Sequence, residues 1–515
     1  MSSANGRQDL SALGIQDLSA LGIQALVDPG KTPTDEQVRV IEAPRRPLLV
    51  VAGAGSGKTE TMSMRVLWLV ANHEDIAPSS VLGLTFTRKA AGELGDRLRQ
   101  RLALLARRVP SLRERLDEDP VSLTYNSFAE RIVAEHGMRI GIDPDFTMLT
   151  EAGAVDLMTQ IVEGWPTDLD EDLSPSAVVG HCLHLAGEVG EHGYTVEEAR
   201  DALEGFGRDL EQIGATNDTA RKTLRANARR LAYLGPVEEF QRRKREGGLL
   251  DFSDQLVLAT RIVRGAPAVR AQVRDEFQAV LLDEFQDTSV IQMELLSLLF
   301  HDHAVTAVGD PNQAIYGWRG ASASSLERFL DRFQDGPAQP GQTLTLSTAW
   351  RNDRNILRAA NRVAAPLREH SRAAKSPVLR ARPGAGEGRV DVAYTQDYRS
   401  ALGAVVEFVS AHRARGTREG KRPTTAVLCR RRSDFPYVDM ALREAGVPTQ
   451  IVGLGGLLDQ PSVQDARAAL VLADDVEASP WLARLLAGID LGAADLVALG
   501  DWARHLAREE GRDPH

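Results

Sequence analysis

The chain has 515 residues and a formal net charge of −11, with 43% hydrophobic and 26% charged residues. This hydrophobic content excludes an intrinsically disordered protein and is enough to give each of three or four domains its own core. The acidic balance argues against a protein that coats nucleic acid by bulk charge, although it is compatible with a locally basic groove. No run of eighteen apolar residues and no secretory signal pattern occurs, so we expect no membrane span. The two cysteines, Cys182 and Cys429, fit a reducing cytoplasm.

Residues 1–30 form an arm that contains a tandem repeat. Residues 8–15 read QDLSALGI, and residues 16–23 repeat the same eight letters. Two copies are too few for a repeat fold. The pattern favours a short amphipathic helix or a slippage duplication, and a partner-docking arm is the alternative.

From residue 31 onward, short apolar runs alternate with polar clusters and helical stretches. The predicted strands of this part of the chain cover residues 48–51, 81–84, 121–123, 279–282 and 304–308. Their nearly continuous apolar character is typical of parallel strands that are covered on both faces. We therefore predict an α/β fold, and we expect ligands beyond the carboxyl ends of its strands.

Residues 130–248 interrupt this rhythm with a helical period, which predicts a helical insertion. Residues 31–129 and 249–335 then make up the first α/β domain. Further strands at 343–346, 390–393, 425–428 and 450–452 predict a second α/β domain over 336–475, followed by a helical segment over 476–515.

A glycine-rich loop follows the first predicted strand directly. It reads Ala52, Gly53, Ala54, Gly55, Ser56, Gly57, Lys58 and Thr59, which is a P-loop with Ala52 where the usual pattern begins with Gly. Small residues let backbone N–H groups approach the phosphates of ATP, and the following helix adds its dipole. Lys58 is expected at the β- and γ-phosphate oxygens, and Thr59 at Mg²⁺.

A pair of carboxylates ends another predicted strand. Asp283 is placed to hold Mg²⁺, and Glu284 to orient or deprotonate the attacking water. An Asp-Glu pair alone is usually a solvated turn, but here a P-loop stands upstream in the same chain. We therefore predict a nucleotide-hydrolysing site.

Further motifs resemble those of UvrD/Rep/PcrA-type superfamily 1 DNA helicases. They are TDEQ at 34–37, TFTRKAA at 85–91, TYNSF at 124–128, DEFQDT at 283–288, VGDPNQAIYGWRGA at 308–321, and Trp350-Arg351. This ordered set covers residues 31 to about 475. It is most similar to actinobacterial helicase–nuclease subunits of the AdnB kind. The resemblance implies two RecA-like motor domains, the second of them partial, with helical insertions at 130–248 and from 476.

The resemblance also assigns roles around ATP. Gln37 would read the adenine edge, and Trp350 would stack on the adenine ring. Arg351 would reach the γ-phosphate from the second domain, so that hydrolysis depends on domain closure, and Gln313 would sense the γ-phosphate. In several relatives an Arg at the position of Glu60 packs near the adenine, so we do not expect that contact from Glu60 here.

For DNA, the resemblance implies stacking of single-strand bases on Phe86, Tyr316 and Trp318, a sequence-tolerant interaction. The alternative is that Tyr316 and Trp318 are core aromatics. The other DNA contacts that it implies are Arg88, Asn126 and Arg319. The implied partners are single-stranded DNA, single-strand/duplex junctions and a second helicase–nuclease subunit.

The implied activity is a DNA-dependent ATPase that moves 3′ to 5′ and unwinds duplex DNA in repair or end processing. Motifs V and VI of this family are not found in the sequence, so we expect a truncated chain or a chain completed by another polypeptide. The alternative function is an ATP- and single-strand-binding module with little helicase activity.

Three smaller features complete the sequence. The run His181-Cys182-Leu183-His184 lacks a second ligand pair, so we predict a helix surface rather than a metal site. The basic runs at 242–245 and 430–432 face either phosphates or solvent.

Overall fold

The structure is a computed structural model that describes residues 18–143, 145–167, 169–170, 172–214, 217–317, 325–334, 341–370, 375–415, 424–452, 461–474, 479–488 and 491–509. The chain divides into two compact units, one up to Val390 and one from Asp391 onward. Within the described ranges, none of the helices combines the length and the apolar character needed to cross a bilayer.

Six parallel strands form the main sheet of the first unit, and two short strand pairs accompany it. The strands are β1 (Leu48–Ala52), β2 (Val81–Thr85), β3 (Val121–Thr124), β4 (Thr147–Met148), β5 (Leu249–Leu250), β6 (Ala279–Leu282), β7 (Val305–Gly309), β8 (Gln342–Leu346), β9 (Thr348–Ala349) and β10 (Arg380–Ala381). The main sheet has the order β3-β2-β6-β7-β1-β8. The short pairs are β4 with β5 and β9 with β10, and both are parallel.

Helices connect these strands and continue into the second unit. They are α1 (Ala20–Val27), α2 (Asp35–Ile41), α3 (Lys58–Asn72), α4 (Arg88–Arg108), α5 (Tyr125–His136), α6 (Glu151–Glu163), α7 (Pro175–Glu191), α8 (Val196–Gln212), α9 (Asp218–Glu246), α10 (Phe252–Gly265), α11 (Pro267–Glu276), α12 (Val290–Phe300), α13 (Ser325–Phe333), α14 (Arg354–His370), α15 (Tyr398–Arg415), α16 (Phe435–Glu444), α17 (Pro461–Asp474), α18 (Ser479–Gly488) and α19 (Ala493–Glu509).

Both faces of the main sheet are covered, as the apolar runs predict. In β1, Leu48 and Val50 belong to the core on one face, and Leu49 and Val51 belong to the core on the other. This alternation follows from the two-residue period of a strand. The predicted α/β fold with a parallel sheet is therefore confirmed.

The second copy of the N-terminal octapeptide is part of this core. Ser19 caps α1 by accepting a hydrogen bond from the backbone N–H of Gly22. Leu18, Ala20 and Ile23 are buried in the core that includes α3 and α4. The predicted helix is therefore confirmed for this copy, while the first copy lies outside the described residues.

The helical stretch between β4 and β5 has its own core. Helices α6, α7, α8 and α9 surround buried residues that include Cys182 and Leu234, and the β4–β5 pair joins the two ends of the stretch. His181 and His184 are exposed on α7, whereas Cys182 is buried. The predicted helix surface is thus right for the histidines and wrong for Cys182, which lies on the apolar face.

The strand predicted at 343–346 does not belong to a second sheet. It is β8, and it pairs in parallel with β1 from Leu48 opposite Gln342 to Ala52 opposite Leu346. The sequence assigns it to the second α/β domain because a glycine- and proline-rich segment precedes it. In the structure it lies in the first unit because it completes the edge of the main sheet.

The strands predicted at 390–393, 425–428 and 450–452 are wrong, since the structure has no strand in these ranges. Val392, Leu428 and Val452 are 84–93% exposed. A strand needs a neighbour that supplies backbone hydrogen bonds, and no described segment of the second unit does so. The core that this unit does have is small and lies around Val409, Leu442 and Val447.

Candidate active site

The P-loop begins where β1 ends, at the carboxyl edge of the main sheet. Ala52 is the last residue of β1, and Lys58 is the first residue of α3. Gly55 and Gly57 adopt φ angles of +73° and +82°, a left-handed conformation that glycine adopts without steric cost. The chain thereby turns from strand to helix within five residues and points the N-terminus of α3 at the loop.

Two segments from later in the chain contact this loop. A Cβ atom on Gly53 would lie 2.2 Å from Cδ2 of Leu379, and one on Gly55 would lie 3.1 Å from Cβ of Arg351. The backbone N–H of Trp350 also donates to the carbonyl oxygen of Gly55 at 2.8 Å. Glycine at 53 and 55 therefore lets these segments approach.

Lys58 reaches the carboxylate pair across the carboxyl edge of the sheet. Its Nζ atom donates to Oε2 of Glu284 at 3.0 Å. Glu284 follows β6 directly and has a φ angle of +49°, which is unusual for a residue with a side chain. The P-loop lysine and the predicted catalytic carboxylate thus form one ion pair.

Asp283 lies beside this pair and is almost fully buried. Burial and the neighbouring charge of Glu284 raise the pKa of Asp283 to about 6, and the charge of Lys58 opposes the shift. Its Oδ1 atom accepts from the backbone N–H of Glu284 at 3.0 Å. Among the described residues, no group of three or more His, Cys, Asp or Glu side chains is arranged to hold a metal ion.

Gln286 links Glu284 to the loop after β7, a role that the sequence prediction misses. Its Nε2 atom donates to Oε2 of Glu284 at 2.9 Å, and its Oε1 atom accepts from the backbone N–H of Asp310 at 3.0 Å. Asp310 in turn accepts from Nε2 of Gln313 at 2.7 Å. The predicted sensor Gln313 is therefore connected to Glu284 through the side chain and backbone N–H of Asp310 and the side chain of Gln286.

Gln37 and Trp350 lie next to each other at Gly57. A Cβ atom on Gly57 would lie 3.0 Å from Nε2 of Gln37 and 3.6 Å from Cδ1 of Trp350. Gln37 belongs to the capping box of α2, and its Nε2 atom donates to Oγ1 of Thr61 at 3.2 Å. Trp350 is 39% exposed. The two residues predicted to bind adenine are thus brought together beside the P-loop.

Arg351 is not supplied by a separate second domain. It lies in the first compact unit with the P-loop, and its backbone is held there by the short β9–β10 pair and by the bond of Trp350 to Gly55. The dependence of hydrolysis on domain closure stays a prediction. The residue stands next to the loop within the same unit.

Glu60 forms an ion pair with Arg101 and does not face the P-loop site through a free carboxylate. Both of its carboxylate oxygens lie 2.6 Å from Nη2 of Arg101 on α4. The side chain at this position therefore joins α3 to α4.

A cleft of about 230 Å³ opens beyond the ends of β2 and β3. The residues predicted for DNA that line it are Phe86, Arg88 and Asn126. Tyr316 stacks on Phe86, with ring centroids 4.9 Å apart and planes inclined by 25°. Trp318 and Arg319 lie outside the described residues.

Phe252 and Gln292 also line this cleft, and the sequence prediction misses both. Phe252 is 55% exposed at the start of α10, and Nε2 of Gln292 donates to Oδ1 of Asn126 at 3.3 Å. An apolar residue at the first position of a predicted helix carries no signal of exposure in the sequence.

The residues of the P-loop fit a phosphate chain. The Oγ atom of Ser56 is buried without a hydrogen-bond partner among the described residues. The first N–H groups of α3 have no acceptor within the helix, and the helix dipole favours an anion at this end. Thr59 and Asp283 supply a hydroxyl and a carboxylate, which suits Mg²⁺ because this ion keeps several waters and takes few protein ligands.

The match to a known family agrees with this geometry. Residues 33–334 match the UvrD/REP helicase N-terminal domain. The chain belongs to the UvrD/REP helicase family. The matched range contains the P-loop, the carboxylate pair and the cleft, and it ends before Trp350 and Arg351.

Similar proteins in this family are helicases. The chain is 27% identical over 476 residues to DNA helicase II of Haemophilus influenzae, a match that covers 92% of this chain and 58% of the relative. It is 30% identical over 330 residues to DNA helicase II of Escherichia coli, a match that covers 64% of this chain and 39% of the relative. It is 26% identical over 436 residues to the ATP-dependent DNA helicase PcrA of Staphylococcus epidermidis, a match that covers 84% of this chain and 53% of the relative. The chain thus spans 39–58% of the length of these relatives.

Proposed function

We propose that this member of the UvrD/REP family is an ATP-dependent DNA motor. ATP hydrolysis drives it 3′ to 5′ along single-stranded DNA and unwinds single-strand/duplex junctions in DNA repair or end processing. The names of the relatives, DNA helicase II and ATP-dependent DNA helicase PcrA, support the reaction. The resemblance of the motifs supports the polarity and the pathway.

One observation carries the proposal. The Lys58–Glu284 pair and the Phe86–Tyr316 stack lie at the same edge of one sheet, and a chain of hydrogen bonds runs between them. Gln286 contacts both Glu284 and Asp287. Asp287 accepts from the backbone N–H of Ile315 at 3.2 Å. Because Ile315 precedes Tyr316, a change at the carboxylates has a path to the aromatic stack.

Each residue then has a distinct task. ATP with Mg²⁺ supplies the phosphoanhydride bond and the divalent charge. Lys58 binds phosphate oxygens and gives up its bond to Glu284, which is then free to orient water. Asp283 and Thr59 hold the cation, and Arg351 adds positive charge beside Gly55.

The bases of single-stranded DNA stack on Phe86 and Tyr316 in this proposal, and Arg88 and Asn126 contact the strand at the cleft. Stacking of this kind is worth about 1–3 kcal/mol per base and tolerates any sequence, which a motor requires. A second helicase–nuclease subunit, by similarity to the AdnB kind, is the partner that the proposal includes.

The test is the rate of ATP turnover by the full chain, with and without a single-stranded oligonucleotide. We expect strong stimulation by DNA and a loss of about 100-fold or more in Lys58→Ala and Glu284→Gln. Lys222→Ala is the matched control, because Lys222 is 78% exposed on α9, far from the P-loop in sequence. Duplexes with a 3′ or a 5′ single-stranded tail report the polarity.

Two results would contradict the proposal. Unchanged turnover in Lys58→Ala would show that the hydrolysis comes from another site. Binding of ATP and single-stranded DNA with almost no turnover would favour the binding-module alternative.

A further inference from the structure

Tyr125 stands between the aromatic stack and the carboxylates, and neither the motif roles nor the comparisons assign it a function. Strands β3, β2 and β6 are neighbours in the main sheet. The residues that follow them are Tyr125, Phe86 and Asp283. Because parallel strands end at the same edge of a sheet, these three residues meet there.

The hydroxyl of Tyr125 reaches the strand end that carries the carboxylates. It donates to the backbone carbonyl oxygen of Asp283 at 3.0 Å. The tyrosine is only 3% exposed, so water does not compete for this bond. On the other side, its ring packs edge-on against Phe86, with centroids 6.4 Å apart and planes inclined by 62°.

This bond acts on the peptide group that sets the position of Glu284. The carbonyl of Asp283 and the N–H of Glu284 belong to the same planar unit. The hydroxyl of Tyr125 donates to the carbonyl oxygen of this peptide, and the carboxylate of Asp283 accepts from its N–H at 3.0 Å. Glu284 keeps its φ of +49° relative to this fixed plane. Such a conformation persists only where the surroundings hold it.

We propose that Tyr125 is a positioning residue that couples the Phe86–Tyr316 stack to Glu284. A base that enters the stack moves the ring of Phe86, and the ring of Tyr125 packs directly against it. Because the hydroxyl of Tyr125 holds the Asp283–Glu284 peptide, this movement turns the peptide and reorients the carboxylate of Glu284. This inference rests on the proposed function, since it explains how DNA stimulates ATP turnover.

Tyr125→Phe keeps the ring against Phe86 and removes only the hydroxyl. The measurement is the ratio of ATP turnover at saturating single-stranded DNA to turnover without DNA, using the full chain. We expect this ratio to fall about three- to tenfold through kcat, as the loss of one hydrogen bond implies. The KM for ATP and the Kd for single-stranded DNA should stay within about twofold.

Tyr233→Phe is the matched control. Tyr233 is a buried tyrosine of α9 whose hydroxyl donates to Oδ2 of Asp170 at 3.0 Å. Its removal takes away a similar bond in the helical stretch, so the ratio should stay at the wild-type value. Thermal midpoints of both variants show whether they fold alike.

A double-mutant cycle with Phe86→Leu tests the path itself. If the two residues act in series, the stimulation ratio of the double variant should equal that of the single variant with the lower ratio. An unchanged ratio in Tyr125→Phe would overturn the coupling and leave the proposed function standing. An equal fall of basal and stimulated turnover would also overturn it, because the hydroxyl would then support the structure of the site without coupling it to DNA. Absence of DNA stimulation in the unmodified chain would overturn both.

Discussion

Arg101 binds Glu60 through a single guanidinium nitrogen, Nη2, which lies 2.6 Å from each carboxylate oxygen. The arginine is 12% exposed and the glutamate 26%, so water screens the pair only in part. Because Glu60 directly follows Thr59, this contact ties the first turn of α3 to the middle of α4. The position next to the P-loop therefore serves packing between two helices.

An arginine at position 60 should harm this chain. Glu60→Arg sets two guanidinium groups against each other in a half-buried site, and we expect a loss of about 2 kcal/mol in stability. Thermal unfolding measures the loss, and titration with a fluorescent ATP analogue should show no gain in affinity. The charge-swapped double variant Glu60→Arg/Arg101→Glu should recover most of the stability. A single variant as stable as the wild type would show that the pair contributes nothing.

Gly53 should not accept a side chain. A Cβ atom there would lie 2.2 Å from Cδ2 of Leu379, so Gly53→Ala must shift the P-loop or the leucine. We expect ATP turnover to fall at least about tenfold, because a small misplacement of phosphate-binding groups is costly. Adding Leu379→Ala should restore part of the turnover.

Gly92 provides the control for that substitution. It lies on the exposed face of α4, and a methyl group at this position would meet no other described segment of the chain within 4 Å. Gly92→Ala should raise stability by about 0.5–1 kcal/mol, because alanine favours a helix interior, and leave turnover unchanged. Equal effects of both substitutions on turnover would contradict the contact with Leu379.

Arg65 should contribute strongly to the stability of the fold. It is buried and donates to the carbonyl oxygens of Val40, Ile41, Ala43 and Pro44 and to Oγ1 of Thr306. Burial lowers the pKa of Arg65 to about 10, so it is still charged near neutral pH.

Arg65→Met leaves several buried acceptors without a donor, and we expect a loss of about 3–5 kcal/mol in stability. Arg39→Met, on the exposed face of α2, should change stability by no more than about 0.5 kcal/mol. Chemical denaturation followed by circular dichroism compares the two. A small loss for Arg65→Met would mean that water replaces the guanidinium.

Asp283 should make stability fall as the pH rises. The pKa of this carboxyl is 3.8 in an ordinary environment and about 6 in the fold. The folded chain therefore binds the proton more tightly than the unfolded chain. The destabilising effect of the Asp283 carboxylate is absent below pH 3.8, grows between pH 3.8 and about 6, and is complete above about 6.

Asp283→Asn removes that effect while it keeps the size of the side chain. The variant should be more stable than the wild type at pH 8 by up to about 3 kcal/mol, and the difference should shrink clearly at pH 5. Thermal unfolding in magnesium-free buffer at the two pH values measures it. The same gain at both values would show that the carboxyl does not titrate in this window.

The sequence predicts the site best where the chemistry is local. The P-loop is a strand, a turn and a helix in one continuous stretch, so Lys58 and the glycines could be read directly. Asp283 and Glu284 follow a buried strand, and the sheet brings them to Lys58 because parallel strands share one carboxyl edge.

Contacts between distant segments could not be predicted. Leu379 lies in no motif, and its approach to Gly53 depends on the β9–β10 pair. The bond from Tyr125 to the carbonyl of Asp283 depends on the strand order, which the sequence does not state. Apolar runs such as 425–428 have the composition of strands, but composition cannot provide the neighbour with which a strand pairs.

The pairing of β8 with β1 has a practical consequence for anyone who wishes to cut the chain into fragments. A fragment that ends near residue 335 would lack β8 and leave β1, the apolar strand that leads into the P-loop, as the outermost strand. Unpaired N–H and C=O groups along such a strand recruit other chains and promote aggregation. A fragment that extends to Val390 keeps β1 covered, together with Trp350 and Arg351.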